Sequence, residues 1–369
     1  MKSPLRLLIV PDKFKGTLSA QNVAAAIAKG WKSARPQDHL DLLPMSDGGD
    51  GFGPILSHLL GARTRTIKTV NAAHQSITAQ WWFASRQKLA LIESARVIGL
   101  ALLPAKKFHP FQLDTFGLGR VLHAAARSGA TRCIIGIGGS ATNDAGFGLA
   151  HALGWKFLDS HGRELAHWPQ LLQLHRILPP VNRLKLRLTV AVDVTNPLLG
   201  PRGCSRIYGP QKGLHPADIP LAEKCLRRLG QILKQQHHLD FAQTPGAGAA
   251  GGLGFGLMTF AGARPETGFE VFSQAARLAQ RIRQSDLVIT GEGALDTQTH
   301  MGKGVGQIAR LCQKLKVPCV ALAGDIRTPN AQKLFWKTRA LTDLADLKTA
   351  IRQPRRCLEQ LAKSLAAEL

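Results

Sequence analysis

The chain has 369 residues, 44% of them hydrophobic, so it is long enough for roughly two or three domains with sizeable cores. Its net charge of +24 admits nucleic acid as a partner, but the basic residues scatter along predicted helices, without a basic tail or a helix-turn-helix pattern. Six cysteines without a C-x-x-C pair argue against a disulfide framework or zinc site and favour reduced thiols in a cytoplasmic protein. The first residues do not resemble a signal peptide, and no uncharged apolar run of about 18 residues predicts a membrane span.

The N-terminal elements follow a strand–loop–helix pattern. A short apolar strand is predicted at 5–10. Ser19 is expected to cap a helix over 20–34, because Val23, Ile27 and Trp31 recur there at helical spacing. A second strand, an acidic turn and a further helix are then predicted at 41–45, 46–51 and 52–60.

The middle of the chain interrupts this pattern. Its alternation predicts an antiparallel meander with strands at 64–68, 76–83 and 88–92. Strands are then expected at 131–137, 189–192, 286–290 and 317–322, and helices at 115–128, from about 144, 217–236, 268–282 and 303–314. Such alternation predicts parallel sheets, and the meander predicts a second module inserted in the first. The expected domains are 1–65 with 286–369, and 66–285.

Four of the predicted strands run directly into polar loops. These loops begin at Asp12, Gly136, Asp193 and Gly291, and they are rich in Asp, Lys, Gly and Thr. A buried parallel strand that opens into such a loop is typical of a functional site. The four loops together predict that strand ends converge on a polar ligand that carries phosphate.

One of these loops matches a loose dinucleotide-binding fingerprint. Gly136-x-Gly138-x-x-Ala141 follows a strand, and Asp159 lies near the spacing of a ribose contact. Residues 142–144 argue against NAD binding, because they place polar groups in what should be the first apolar turn of the helix. Phosphate binding by backbone amides is therefore favoured, and a nicotinamide-dependent oxidoreductase remains an alternative.

A second match lies at Gly246-x-Gly248-x-x-Gly251, but it follows Pro245 and a polar stretch instead of a strand. We interpret residues 246–256 as a tight loop where the backbone meets a ligand or another helix. The chain has no Walker A motif, so a kinase function would lie outside the P-loop class.

Phosphoryl transfer needs cations for the phosphates, carboxylates for a metal, and a base for the acceptor hydroxyl. The candidate cations are Lys13, Lys15, Lys212 and Lys303. The candidate acids lie beside glycines or at strand ends, and they are Asp47, Asp50, Asp144, Asp193, Glu292 and Asp296. For any one of these acids, a helix cap or an Asx-turn is an alternative interpretation.

Taken together, six segments in this order resemble the bacterial-type (type I) glycerate kinases, the glycerate 2-kinases, over about residues 5–325. They are Pro11-Asp12-Lys13-Phe14-Lys15-Gly16, Asp47-Gly48-Gly49-Asp50-Gly51, Gly138-Gly139-Ser140-Ala141-Thr142-Asn143-Asp144, Asp193-Val194-Thr195-Asn196-Pro197-Leu198-Leu199-Gly200, Tyr208-Gly209-Pro210-Gln211-Lys212-Gly213 and the segment from Gly291 through Lys303. The chain departs from the family pattern at four positions. Lys13 stands where the family has Ser, Asp50 where it has Glu, Ala294 where it often has Arg, and Thr297 where it often has Gly.

The resemblance implies ATP-dependent phosphorylation of D-glycerate with Mg²⁺, on the 2-hydroxyl in preference to the 3-hydroxyl. It also implies two α/β domains: a Rossmann/flavodoxin-like parallel-sheet domain and an inserted mixed-sheet α/β domain, with the active site in the cleft between them. The expected partner is a small molecule, with neither nucleic acid nor membrane. A basic nucleic-acid-binding protein is the non-enzymatic alternative, and no oligomeric state is predicted.

Each motif residue then receives an expected role. Lys15 and Lys212 neutralise phosphate or the substrate carboxylate, and Asp193, with Asp47 second, acts on the acceptor hydroxyl. Glu292 and Asp296 hold Mg²⁺ directly or through water. The nucleotide contacts are assigned to Gly138, Gly139, Ser140, Thr142, Asn143, Lys212, Gly291 and Gly293.

Overall fold

The computed structural model describes residues 3–46, 49, 51–105, 107–301 and 304–369. Its strands are β1 (Arg6–Ile9), β2 (His39–Leu42), β3 (Arg63–Val70), β4 (Ser76–Ala84), β5 (Leu89–Glu93), β6 (Arg132–Gly136), β7 (Lys156–Leu158), β8 (Arg176–Leu178), β9 (Arg187–Ala191), β10 (Arg264–Glu266), β11 (Leu287–Thr290), β12 (Ala294–Leu295), β13 (Cys319–Ala323), β14 (Asp325–Ile326) and β15 (Lys337–Ala340). Its α-helices are α1 (Ala20–Ala34), α2 (Phe52–Leu59), α3 (Ala95–Ile98), α4 (Phe116–Arg127), α5 (Phe147–Ala152), α6 (Cys204–Tyr208), α7 (Ile219–His237), α8 (Ala249–Ala261), α9 (Gly268–Ala275), α10 (Leu278–Arg283), α11 (Thr297–His300), α12 (Val305–Leu315), α13 (Pro329–Gln332), α14 (Leu347–Arg352) and α15 (Pro354–Glu368).

The chain divides into two compact units. The first unit combines Met1–Asp47 with Phe269–Leu369, and the second is Gly48–Gly268. Both boundaries fall earlier in the chain than the expected ones at 65/66 and 285/286. The difference has a simple cause, because β3 pairs with β4 along its whole length and α2 packs on β4 and β5, whereas α10 packs on α12.

The first unit contains a parallel sheet with the strand order β15-β13-β11-β1-β2. Counted within this unit, the order is 2-1-3-4-5, which is the flavodoxin-like order that the sequence analysis expected. The side chains of Leu7, Ile9, Leu287 and Ile289 share one core with α1 and α15. Leu8, which alternates with them, is also fully buried, as expected for a sheet covered on both faces.

The second unit contains a mixed sheet with the order β10-β9-β6-β5-β4-β3. The predicted meander is confirmed, since β3, β4 and β5 pair antiparallel. From β5 onward the pairing with β6, β9 and β10 is parallel. No helix in the part of the chain that the structure describes is both long and apolar enough to cross a membrane.

Several predicted elements match in position, and α1 matches at both ends. The Ser19 hydroxyl caps it by accepting a hydrogen bond from the Asn22 amide at 3.3 Å. The second strand lies earlier than predicted because its backbone pairs with β1, and the following residues 43–45 continue without a strand.

Two predicted helices differ from the structure for backbone reasons. The helix predicted at 268–282 is divided into α9 and α10, because Arg277 adopts a left-handed conformation with φ of 49°. The helix expected from about 144 begins only at Phe147, because Ala145 and Gly146 have φ of 50° and 78°. Residues 137–146 therefore form a long loop between β6 and α5.

Candidate active site

Three segments of the second unit leave the sheet at the same edge, and two of them are candidate loops. The register pairs Glu93 with Gly136 and Gly136 with Ala191, at the carboxyl ends of β5, β6 and β9. Side chains just beyond these positions are therefore neighbours, as the sequence analysis expected for parallel strands. The loop 137–146 follows β6, and Asp193 follows β9 two residues after the strand ends.

The loop 137–146 rests on the segment between β5 and α4. The amide of Leu100 donates to the Gly139 carbonyl at 3.0 Å, and the amide of Ala141 donates to the Ile98 carbonyl at 2.8 Å. Gly138 and Gly139 are exposed at the tip, where Gly139 has a φ of 76° that favours glycine. The tip therefore presents bare backbone to solvent, as a phosphate-binding loop does.

Lys212 is buried behind this loop, with only 6% of its surface exposed. Its ammonium donates to the Ser140 hydroxyl at 3.0 Å and to the Thr142 carbonyl at 2.6 Å. Burial lowers the pKa of Lys212 to about 8, and the nearby Cys204 and Asp144 offset part of that effect. Among the described residues it forms no ion pair, and a buried cation without a carboxylate is suited to binding an anion.

Two side-chain oxygens beside Lys212 lack a hydrogen-bond partner among the residues described. They are the Thr142 hydroxyl and Oδ1 of Asn143, and both residues are fully buried. Nδ2 of Asn143 donates to the Ser205 hydroxyl at 2.9 Å, which fixes the orientation of the amide. Since buried polar atoms are normally paired, these two oxygens indicate a polar group that binds here.

Asp144 has a structural role next to this group. Its Oδ2 accepts hydrogen bonds from the amide and hydroxyl of Thr115 at 3.0 and 2.8 Å and from the Gly148 amide at 3.0 Å. Burial and the nearby Asp114 raise the pKa of Asp144 to about 6. This carboxylate therefore ties the start of α4 to the start of α5, which is the capping alternative considered for each acid.

The glycine-rich segment 246–256 packs against the same loop. A Cβ atom on Gly251 would lie 1.9 Å from the Thr142 carbonyl oxygen, and one on Gly256 would lie 2.6 Å from the Ala145 carbonyl oxygen. The amide of Gly248 donates to the Asn196 carbonyl at 2.9 Å, so the segment also contacts the loop after β9. The backbone of segment 246–256 makes the close approach that the sequence predicted, and the element it approaches is the loop 137–146.

Asp193 is half-buried in the loop that follows β9. Its Oδ1 accepts a hydrogen bond from the Gly268 amide at 2.9 Å. This contact fixes the carboxylate at the edge from which the loop 137–146 also leaves the sheet. The position suits a base that receives a proton from a bound alcohol, and this role stays a prediction.

In the first unit the candidate residues lie where the strand order reverses, between β1 and β11. The amide of Asp12 donates to the Gly291 carbonyl at 2.8 Å, which joins the two loops that follow these strands. A Cβ on Gly291 would lie 2.2 Å from the Leu322 carbonyl oxygen, so only glycine fits there. In open α/β sheets this reversal is the usual place for a ligand.

Two carboxylates lie near Gly304 at this position. A Cβ on Gly304 would lie 3.6 Å from Oε2 of Glu292 and 3.9 Å from Oδ2 of Asp12. Oε1 of Glu292 accepts a hydrogen bond from the buried Thr299 hydroxyl at 2.6 Å. Mg²⁺ in proteins is usually held by one or two carboxylates together with water and substrate phosphates, and this pair fits that requirement.

Asp296 caps a helix. Its Oδ1 accepts hydrogen bonds from the Gln298 amide at 2.8 Å and the Thr299 amide at 3.4 Å, at the start of α11. A contribution of Asp296 to metal binding would have to use the other oxygen. Within the described ranges, no group of three or more His, Cys, Asp or Glu side chains is arranged so that it could hold a metal ion.

The remaining candidates are less informative. Lys15 is exposed, and its backbone nitrogen lies 3.4 Å from where a Cβ on Gly293 would be. Asp47, Asp50 and Lys303 lie outside the described residues.

The dinucleotide fingerprint at Gly136, Gly138 and Ala141 does not have its expected structural context. The fingerprint requires a helix to begin at the glycines, but here α5 starts only at Phe147. Asp159, the expected ribose contact, is occupied in its own turn, where it accepts from the amides of His161 and Arg163 at 2.8 and 2.9 Å.

Sequence reasoning did not select Asp12, Thr299 or Ser205 as functional residues. Asp12 and Thr299 lie inside two of the quoted motifs, so the neighbouring motif residues could have indicated them. Ser205 lies outside the quoted motifs. Its contact with Asn143 spans 62 positions of sequence, so no local pattern could have indicated it. The second unit contains an anion-suited loop and the first contains carboxylates, and phosphoryl transfer outside the P-loop class needs groups of both kinds.

Comparisons with known proteins agree with this class. The model of the glycerate kinase family matches residues 7–369. The chain is 36% identical to the glycerate 2-kinase of Escherichia coli (strain K12), over 99% of this chain and 98% of that one. It is 34% identical to the glycerate kinase of Halalkalibacterium halodurans, over 98% and 97%. A crystal structure from Salmonella typhimurium LT2, named as a glycerate kinase 2, superposes with a TM-score of 0.86 at 31% identity, over 99% and 98% of the chains.

The chain therefore belongs to the glycerate kinase family, and it is an enzyme of that kind. A kinase of this family uses a nucleotide and a small-molecule substrate, glycerate. The resemblance inferred from the six motifs is confirmed.

Proposed function

We propose that this glycerate kinase transfers a phosphoryl group from ATP to the 2-hydroxyl of D-glycerate and that it requires Mg²⁺. The choice of the 2-hydroxyl is supported by the relative from Escherichia coli, which is named a glycerate 2-kinase. The nucleotide is supported by the family and by the anion-suited loop at Gly138–Asn143, which carries no Walker A motif.

The observation that carries the proposal is the buried Lys212. Its ammonium holds the loop by two hydrogen bonds and forms no ion pair among the described residues, so it supplies positive charge behind Ser140 and Thr142 that the nearby Asp144 offsets only in part. In a site of low dielectric, a fixed cation stabilises the charge of a transferring phosphoryl group more strongly than it would in water. The unpaired oxygens of Thr142 and Asn143 add polar contacts at the same place.

In the proposed reaction, one bond forms between the 2-oxygen of glycerate and the γ-phosphorus, and the bond from that phosphorus to the leaving oxygen of ADP breaks. The hydroxyl proton passes to the Asp193 carboxylate. The hydrogen bond from Gly268 aims that carboxylate before the substrate binds. Such positioned bases contribute roughly 10²–10⁴-fold to rate.

The carboxylates of Asp12 and Glu292 would hold Mg²⁺. When bound, the metal neutralises phosphate charge and orients the transferring group. Thr299 positions the Glu292 carboxylate by donating to Oε1, and Oε2 lies 3.6 Å from where a Cβ on Gly304 would be. Lys15 remains assigned to a substrate anion.

The test is a purified-enzyme assay with ATP, Mg²⁺ and either D- or L-glycerate, with the product identified by ³¹P NMR. We expect 2-phosphoglycerate from the D isomer. Asp193→Asn should lower kcat by about 100-fold or more while leaving KM for ATP within a few-fold, because only the proton acceptor is lost. A 3-phospho product would refute the regiochemistry, and near-normal turnover of Asp193→Asn would remove its role as base.

A further inference from the structure

A basic pocket lies in the first unit, and nothing in the proposed phosphoryl transfer uses it. Its volume is about 640 Å³. Four cationic side chains line it, Lys29 from α1, Arg352 at the end of α14, and Arg355 and Arg356 in the first turn of α15. We call these four residues the arginine pocket. Three of them, Arg352, Arg355 and Arg356, fall within five consecutive residues.

The positive charge of the arginine pocket is only partly neutralised. Glu359, its one acidic lining residue, accepts from Lys29 at 2.8 Å and from Arg355 at 3.3 Å. Both pairs are exposed to solvent, where such pairs contribute little stability. Arg352 and Arg356 have no carboxylate partner within the part of the chain that the structure describes.

The start of α15 adds to this imbalance. This 15-residue helix has no side-chain cap, and its first turn carries no acid. Instead Arg355 and Arg356 occupy that turn, close to the positive end of the helix dipole, where cations are unfavourable. The unpaired amides and the arginines of one turn therefore all favour an anion at the same place.

We propose that the arginine pocket binds a small anion with two linked phosphate groups, of the diphosphate class. The volume lies in the range of ligand pockets and exceeds what a single phosphate fills. Arginine binds phosphate oxygens through paired hydrogen bonds, so two groups can engage Arg352 and Arg356 together. The lining contains no aromatic side chain on which a base of single-stranded nucleic acid could stack.

An occupied pocket would also contact the turn that carries Lys15. Gly16, Thr17 and Leu18 line the pocket. This turn is closed by the Phe14 amide, which donates to the Leu18 carbonyl at 2.9 Å. An anion bound at this turn could therefore change the position of Lys15, which is the residue before Gly16. That consequence rests on the proposed function, whereas the binding itself does not.

The test is hydrogen exchange on the full chain, with and without millimolar inorganic pyrophosphate. Pyrophosphate should slow exchange in peptides covering 16–18 and 352–359. In the double variant Arg352→Gln/Arg356→Gln, the pyrophosphate concentration that gives half-maximal protection should rise by about tenfold or more, because each arginine supplies charged hydrogen bonds. Arg283→Gln/Lys314→Gln removes the same charge from exposed positions of the same unit and should retain the protection.

The double variant should fold, because removing an exposed arginine from the first turn of a helix relieves repulsion with the dipole. Its unfolding temperature without pyrophosphate should match or exceed that of the wild type. Absence of protection in these peptides of the wild-type protein would overturn the proposal, as would equal protection in the double variant. Protection by single-stranded RNA but not by pyrophosphate would overturn it in favour of a nucleic-acid surface. Exchange in 137–143 reports the proposed ATP loop separately, so failure of one site is distinguishable from failure of the other.

Discussion

The loop around Lys212 and the loops around Glu292 bring charge to a strand end in different ways. Lys212 is buried, and its ammonium is fixed by Ser140 and Thr142. In the other unit Lys15 is exposed, while the half-buried Glu292 accepts a hydrogen bond from the Thr299 hydroxyl. A buried charge is placed before the ligand arrives and acts strongly there, whereas an exposed charge is screened and gains its position on binding. The comparison predicts larger effects from changes around Lys212 than around Glu292.

The largest expected effect comes from Lys212→Met. We expect kcat/KM for ATP to fall by about 10²–10³-fold, because a fixed cation beside the phosphates is lost. The unfolding temperature should change little, because loss of the two hydrogen bonds to Ser140 and Thr142 is offset by removal of a buried charge. Lys224→Met, at an exposed position of α7, is the control and should keep normal kinetics. Normal kcat/KM in folded Lys212→Met would remove the distinction between the two regions.

The next effect tests whether packing holds the Lys212 loop. Gly251→Ala puts a Cβ 1.9 Å from the Thr142 carbonyl oxygen at a φ of 71°. We expect the free energy of unfolding in urea to fall by about 3 kcal/mol, from overlap and backbone strain. The matched change Gly230→Ala lies in α7 with open space around it, and it should stabilise the protein by up to about 1 kcal/mol. Equal stabilities for the two variants would show that the loop is not held this way.

A smaller effect is expected at the carboxylates. Thr299→Val removes the donor to Glu292 while keeping the shape of the side chain. The Mg²⁺ concentration for half-maximal rate should rise by about tenfold, because residues that orient a metal ligand affect affinity more than turnover. Thr297→Val, in the same helix and exposed, serves as the control. An unchanged Mg²⁺ requirement would argue against Glu292 as a ligand.

The last prediction is a pH dependence, whose effect is small near pH 8. Because burial lowers the pKa of Lys212 to about 8, kcat/KM for ATP should decline above that pH, by about tenfold for each further pH unit. Lys212→Arg should lack this decline, since arginine keeps its charge. Between about 8 and the ordinary value of 10.5 the unfolded chain retains a proton that the folded one has lost, so Lys212 makes stability rise with pH there. A flat wild-type profile to about pH 9.5 would contradict the burial argument.

Local patterns were enough to predict much of the fold. Helix α1 and its Ser19 cap, the meander and the parallel strands all follow from periodicity and capping, which act over a few residues. The break at Arg277 was not predictable in this way, because a left-handed residue inside an amphipathic pattern depends on how its two ends pack.

The candidate site divides in the same way. The sequence by itself determined which loops are polar and that they follow strands, since residue type and spacing encode both. Only the tertiary structure decided that Lys212 donates to Ser140, 72 positions away, that Asp144 is fully buried, and that Asp12 and Glu292 both lie near Gly304. Burial and pairing set the charge state and the freedom of a side chain, and both depend on neighbours that the fold brings from distant parts of the chain.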